Sequence, residues 1–162
     1  MYFYAQNLVY SKFLLYLCSV KGLMNKIDHM EKQQLQASMP IRDGRLLQAM
    51  MELYRFEEGE THIVYCPSLD LSAAGTTAPE ALREFVQIFK MHIEDCVEQG
   101  TLHDDLLAHG WKYTRTAFRA PKTTKVLERN AMLRDIVNNR SYRREIRSIA
   151  LPRRVSRSIA FA

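Results

Sequence analysis

The sequence predicts an α+β fold: a small antiparallel sheet in β-β-β-α-β order, one long packed helix, and helical N- and C-terminal extensions. Two patterns and one bulk property carry that prediction. Alternating apolar residues between Leu46 and Phe56, then the β-branched and aromatic run Thr61–Cys66, flank a short polar loop and read as paired strands. Leu82, Phe85, Phe89, Ile93 and Cys96 recur at three- and four-residue spacing, so one face of a helix must be buried. The chain has 162 residues, 47% hydrophobic and 25% charged, which suits one ordinary globular domain plus arms.

Residues 1–40 read as an N-terminal extension. The apolar run Leu8–Val20 contains Lys12 and is too short to span a bilayer. No positive charge precedes it and no small-residue cleavage site follows it cleanly, which argues against a secretory signal. The expected reading places residues 1–23 upstream of a natural start at Met24 or Met30, with a peripheral apolar helix as the alternative. Asn25–Met39 is polar and helix-compatible, and Pro40 punctuates its end.

Residues 41–120 form the predicted domain. Between the first two strands, Glu57-Glu58-Gly59-Glu60 supplies a hairpin loop whose glycine can take positive φ. Pro67 cannot donate to a ladder and ends the second strand. Ser68–Gly75 offers a turn and a short third strand around Leu69, Leu71 and Ala73. Thr77 with Glu80 then makes a capping-box pattern, Pro79 sits in the first helical turn, and Gly100 stops the helix. Thr101 and Asp104 box a second, short helix that Gly110 follows. Trp111–Arg119 reads as a fourth strand closed by Pro121.

Residues 121–162 read as a basic helix and arm. Thr123 and Thr124 can start a helix with Val126, Met132, Leu133, Ile136 and Val137 on one side, and Asn138-Asn139 stops it. Beyond it, arginines concentrate at Arg140, Arg143, Arg144, Arg147, Arg153 and Arg154. The charge is polarised: residues 1–110 carry nine Lys and Arg against 15 Asp and Glu, a net −6, whereas residues 111–162 reach +11. The arginines are candidates for phosphate contact with nucleic acid. The alternatives are a solvated tail, or a tail docked on the acidic body.

Other chemistry finds little support. Three cysteines, Cys18, Cys66 and Cys96, cannot complete a disulfide framework, which argues against a disulfide-stapled secreted fold, and a cytoplasmic protein is expected. His92 and Cys96 lie four residues apart on the long helix and could supply two metal ligands, but Cys96 belongs to the apolar stripe and reads as a small buried hydrophobe. Asp70, Glu80, Glu84, Asp104 and Asp105 do not form a convincing nuclease cluster, because capping, turn or solvated roles explain most of them. No cofactor, metal or catalytic residue is expected, and no membrane association. An open sheet edge would permit self-association.

The run Glu60–Leu82 resembles the HicB-like antitoxin family. The matching residues are Pro67, Leu69, Gly75, Thr77, Glu80 and Ala81, in the family's order of strand, proline turn, Gly-x-Thr and Glu-Ala helix start. From about residue 41 to 150 the chain is similar to a branch of that family seen in Bacteroidetes-type genomes, with Gly110-Trp111 after the helix and Ile149-Ala-Leu-Pro152 near the C-terminus. The resemblance implies a truncated RNase H-like fold. It also implies a non-catalytic protein that neutralises a HicA-like toxin, a small basic mRNA-cleaving protein, by protein–protein contact. Many family members also repress their own operon through a C-terminal DNA-binding module. Residues 121–162 lack a clear pattern of that kind, so the alternative is a stand-alone nucleic-acid-binding regulator acting through the arm.

Overall fold

Strand β3 (Gln48–Glu58) organises the sheet, because its 11 residues are long enough to serve three neighbours. A computed structural model describes residues 37–42, 45–46 and 48–151. The predicted N-terminal helical extension therefore lies outside the described residues, apart from its last few positions. The described elements are β1 (Ser38–Arg42), β2 (Arg45–Leu46), β3, β4 (Thr61–Cys66), β5 (Leu71–Gly75), α1 (Ala78–Glu98) and α2 (Leu102–Ala108). They are followed by β6 (Lys112–Thr114), β7 (Ala117–Arg119), α3 (Thr123–Arg129), α4 (Ala131–Asn139) and β8 (Tyr142–Ala150). The fold class is α+β, and every described strand pair is antiparallel.

One edge of β3 is shared. Its C-terminal half pairs with β4 from Tyr54↔Tyr65 to Glu58↔Thr61, and its N-terminal half meets β1 at Met50↔Ser38. From there the sheet continues to β5 on one side and to β7 and β6 on the other. The opposite edge of β3 holds β8 from Gln48↔Ala150 to Phe56↔Tyr142. Gly59, at φ 60°, closes the β3–β4 hairpin in the left-handed region that favours glycine.

Strand alternation makes two cores. Ala49, Met51, Leu53, Val64 and Cys66 face α1, whose Ala81, Phe85, Phe89, Ile93 and Cys96 are buried against them. Each of the larger side chains contributes about 1.5–3 kcal/mol by leaving water. On the other face, Tyr54, Phe56 and Tyr65 pack with Val126, Leu133 and Ile136 of α3 and α4. The sheet is therefore covered on both faces, by α1 on one and by α3 and α4 on the other. Among the described residues, no helix is long and apolar enough to cross a membrane.

Several expectations need correction. Met39 and Pro40 belong to β1, because Met39 packs in the core opposite Phe118 and does not end a polar helix. Leu69 lies in the turn before β5, and Leu82 is only half-buried, with Ala81 taking the first core position of α1. Trp111–Arg119 makes two short strands, since Thr114 accepts from the Ala117 N–H and donates to its carbonyl to fold a hairpin. Thr101 stands at the N-cap of α2 as expected, but its side chain makes no capping hydrogen bond. Its hydroxyl donates to the Cys96 carbonyl at 3.4 Å. The single helix expected near 123–139 is broken at Asn130, whose extended backbone ends α3 while its side chain caps α4. Within the stretch expected to be a basic arm, Tyr142–Ala150 forms β8, a nine-residue strand of the sheet.

Candidate functional site

The residues singled out by sequence fall into two groups, and the structure gives them different surroundings. The motif residues converge where β4, β5 and α1 meet. Pro67 ends β4, and Leu69 is buried in the turn that follows. In that turn Asp70 takes φ 54° and accepts from the Tyr65 hydroxyl at 2.6 Å. Gly75 passes so close to α1 that an added Cβ would stand 2.5 Å from the Ala81 nitrogen. Thr77 caps α1 by accepting from the Glu80 N–H, and the Glu80 carboxylate accepts from both the N–H and the hydroxyl of Thr76. Those bonds hold the Glu80 carboxyl below its usual range. Gly110, at φ 80°, turns the chain so that Trp111 is buried and its Nε1–H donates to the Ser68 carbonyl at 2.8 Å. Every motif residue thus has a role in closing the fold, and none presents reactive chemistry.

The arginines lie apart from that motif, along β8 and its approach. Arg140 pairs with Asp135 and Glu58, and its guanidinium carbon stands 5.0 Å from the Phe56 ring centroid. Arg144 pairs with Glu52 at 2.8 Å, and Arg147 with Glu145 at 3.2 Å. Glu145 also binds Arg55. Burial raises its carboxyl, but the two arginines outweigh burial and leave it below the usual range. Among the described residues Arg143 has no ion pair, and it lines a cleft of about 610 Å³ with Arg55, His62 and Tyr142. Arg153 and Arg154 lie outside the described residues.

Against protein-family models, curated proteins and solved structures, this chain has no match.

Two features escaped the sequence reading. The first is the outward stripe of α1, where Glu84, Ile88, Met91, Asp95 and Glu98 stand at helical spacing. Met91 is 61% exposed and Ile88 37%, and Leu107 on neighbouring α2 is 47% exposed. The opposite, buried stripe of α1 is strongly apolar and draws attention away from two apolar residues set among acids. The second is the approach of Asp105 to the His92 and Cys96 pair where α1 meets α2. Asp105 comes from a different helix, so its approach has no signal in local spacing.

Proposed function

We propose that the chain is a non-catalytic binding protein of the antitoxin kind, which neutralises a small basic, HicA-like mRNA-cleaving toxin by covering it. The finer fold reading, a truncated RNase H-like domain, goes with that proposal. One observation carries the reading: the outer stripe of α1 sets the exposed Ile88 and Met91 between the carboxylates of Glu84, Asp95 and Glu98. Exposed apolar side chains inside an acidic surround suit a basic protein partner, with the apolar pair supplying affinity and the acids supplying steering and orientation. The resemblance of Pro67, Leu69, Gly75, Thr77, Glu80 and Ala81 to the HicB-like pattern names the class of partner.

The paired arginines support this choice over nucleic-acid binding. Phosphate contact by Arg140, Arg144 or Arg147 would have to displace carboxylates already bound to them.

The test is co-expression with the short basic protein encoded beside this reading frame. Wild-type chain should relieve the growth arrest that protein causes and co-purify with it. Met91→Arg, a change on an exposed position, should abolish both effects while leaving the circular dichroism spectrum unchanged. The proposal fails if no such neighbour exists, or if the variant neutralises as well as wild type.

A further inference from the structure

We propose that His92, Cys96 and Asp105 form a binding site for a zinc-class divalent cation at the junction of α1 and α2. This inference is independent of the partner-binding reading.

The geometry has three parts. His92 Nε2 lies 3.0 Å from Asp105 Oδ2 and 3.8 Å from Cys96 Sγ, and all three ligand atoms lie within 4.8 Å of one another. Tetrahedral zinc, with bonds of about 2.0–2.3 Å, sets its ligands roughly 3.3–3.6 Å apart, so closure requires only side-chain adjustments. The spacing has a backbone cause: His92 and Cys96 are one turn apart on α1, and the Gly100 turn, at φ 69°, brings α2 back so that Asp105 faces both. Three protein ligands leave a fourth position for water or another Lewis base.

The surroundings fit a cation better than simple packing. Ala81, Phe85, Phe89 and Ile93 are fully buried along the stripe, whereas Cys96 is 8% exposed at its rim. His92 and Asp105 are also partly exposed, so an ion has access. The other Asp105 oxygen, Oδ1, stands 3.7 Å from His109 Nδ1, and that nitrogen is 2.9 Å from the Asp105 carbonyl. His109 Nδ1 thus bonds the backbone of Asp105 and stands beside its carboxylate without a hydrogen bond to it. A nitrogen, a sulfur and a carboxylate oxygen make a borderline donor set, which suits Zn2+ and is poor for Mg2+ or Ca2+. Coordination takes Cys96 as thiolate, releasing one proton to solvent, and takes His92 with its remaining proton on Nδ1. Burial and the nearby Asp105 charge raise the Cys96 thiol in the free protein, and a bound cation opposes both effects.

The experiment loads the full chain with Zn2+, removes excess metal, and measures bound metal and melting temperature. In parallel, Co2+ is added as a spectroscopic probe. The expected result is one zinc per folded chain, a melting temperature several degrees higher with zinc, and a near-ultraviolet thiolate-to-cobalt absorption. Cys96→Ser should remove that absorption, and His92→Gln and Asp105→Asn should each weaken zinc binding at least tenfold. Each of these three variants should keep the metal-free melting temperature within a few degrees of wild type. Cys18→Ser should change nothing. The proposal is overturned if wild type retains no zinc, if the three variants bind as wild type does, or if the cobalt absorption is lost with Cys18→Ser and kept with Cys96→Ser.

Discussion

Gly75 shows how little room the motif leaves at the level of single residues. A methyl group there would meet the Ala81 backbone nitrogen at 2.5 Å, and backbone cannot swing aside as a side chain can. Gly75→Ala should therefore destabilise the fold by about 1–3 kcal/mol, read from the urea midpoint. Trp111 makes the complementary case. Trp111→Phe keeps the apolar bulk but removes the donor to the Ser68 carbonyl, which then stays buried and unpaired. The expected cost is about 1–3 kcal/mol, again from denaturant unfolding. Glu80 supplies a pH test. Bonds from the Thr76 hydroxyl and N–H lower its folded pKa from the ordinary 4.5. A depressed carboxyl adds stability that is present above its ordinary value and is lost as pH falls through the folded one. Wild type should thus exceed Glu80→Gln in stability near neutral pH, and the gap should close below pH 4.5, measured by thermal melts across the acid range. The resemblance singled out Gly75, Glu80 and Trp111 as motif positions. Glu80 was also legible as helix-start chemistry, whereas the partner of the Trp111 indole was not, because Ser68 lies 43 residues earlier.

At the scale of elements, local signals worked where one segment dictates its own geometry. The β3–β4 hairpin, the start of α1 and its buried stripe follow from Gly59, Thr77 and apolar spacing. Local signals failed where one side chain arbitrates between two segments. Asn130 sits inside a run with helical periodicity, yet its carbonyl oxygen Oδ1 accepts from the Leu133 N–H at 2.8 Å and its Nδ2 donates to the Tyr65 hydroxyl at 2.6 Å. An asparagine that can bond its own backbone favours a cap over a helix interior. Asn130→Ala should cost about 1 kcal/mol from the lost cap, seen as a lower urea midpoint. The β6–β7 hairpin turns through Arg115 and Thr116, with neither glycine nor proline to announce it. The site at the α1–α2 junction was half legible: His92 and Cys96 were visible as a spaced pair, but their third member was not.

For the whole molecule, part of the polarised charge of the sequence is paired inside the fold. The basic C-terminal segment meets the acidic body at β3, where Arg144 of β8 binds Glu52 and Arg140, just before β8, binds Glu58, while Arg55 and Glu145 make a pair of the reverse sense. Burial is the largest single influence on Arg144 and opposes its charge, but Glu52, Tyr54 and Tyr142 together outweigh it and raise its pKa. Ile149 and Leu151 complete the main core from this segment. Truncation after Asn139 should consequently abolish cooperative unfolding and yield aggregating protein, since β3 would lose a partner along residues 48–56. A soluble truncated chain with a sharp melting transition would show instead that the C-terminal segment is a dispensable arm.

By itself, the sequence determined the α+β class, the central hairpin, the long capped helix and the charge imbalance, because each depends on neighbours within a turn or a strand. The tertiary structure decided that β8 joins the sheet, that Asn130 divides two helices, that Trp111 locks onto the Ser68 turn and that Asp105 meets His92 and Cys96. Those outcomes depend on groups far apart in sequence, such as Gln48 and Ser148, 100 residues apart. Such pairings are fixed by shared burial and by satisfaction of buried charge and backbone, which no local periodicity encodes.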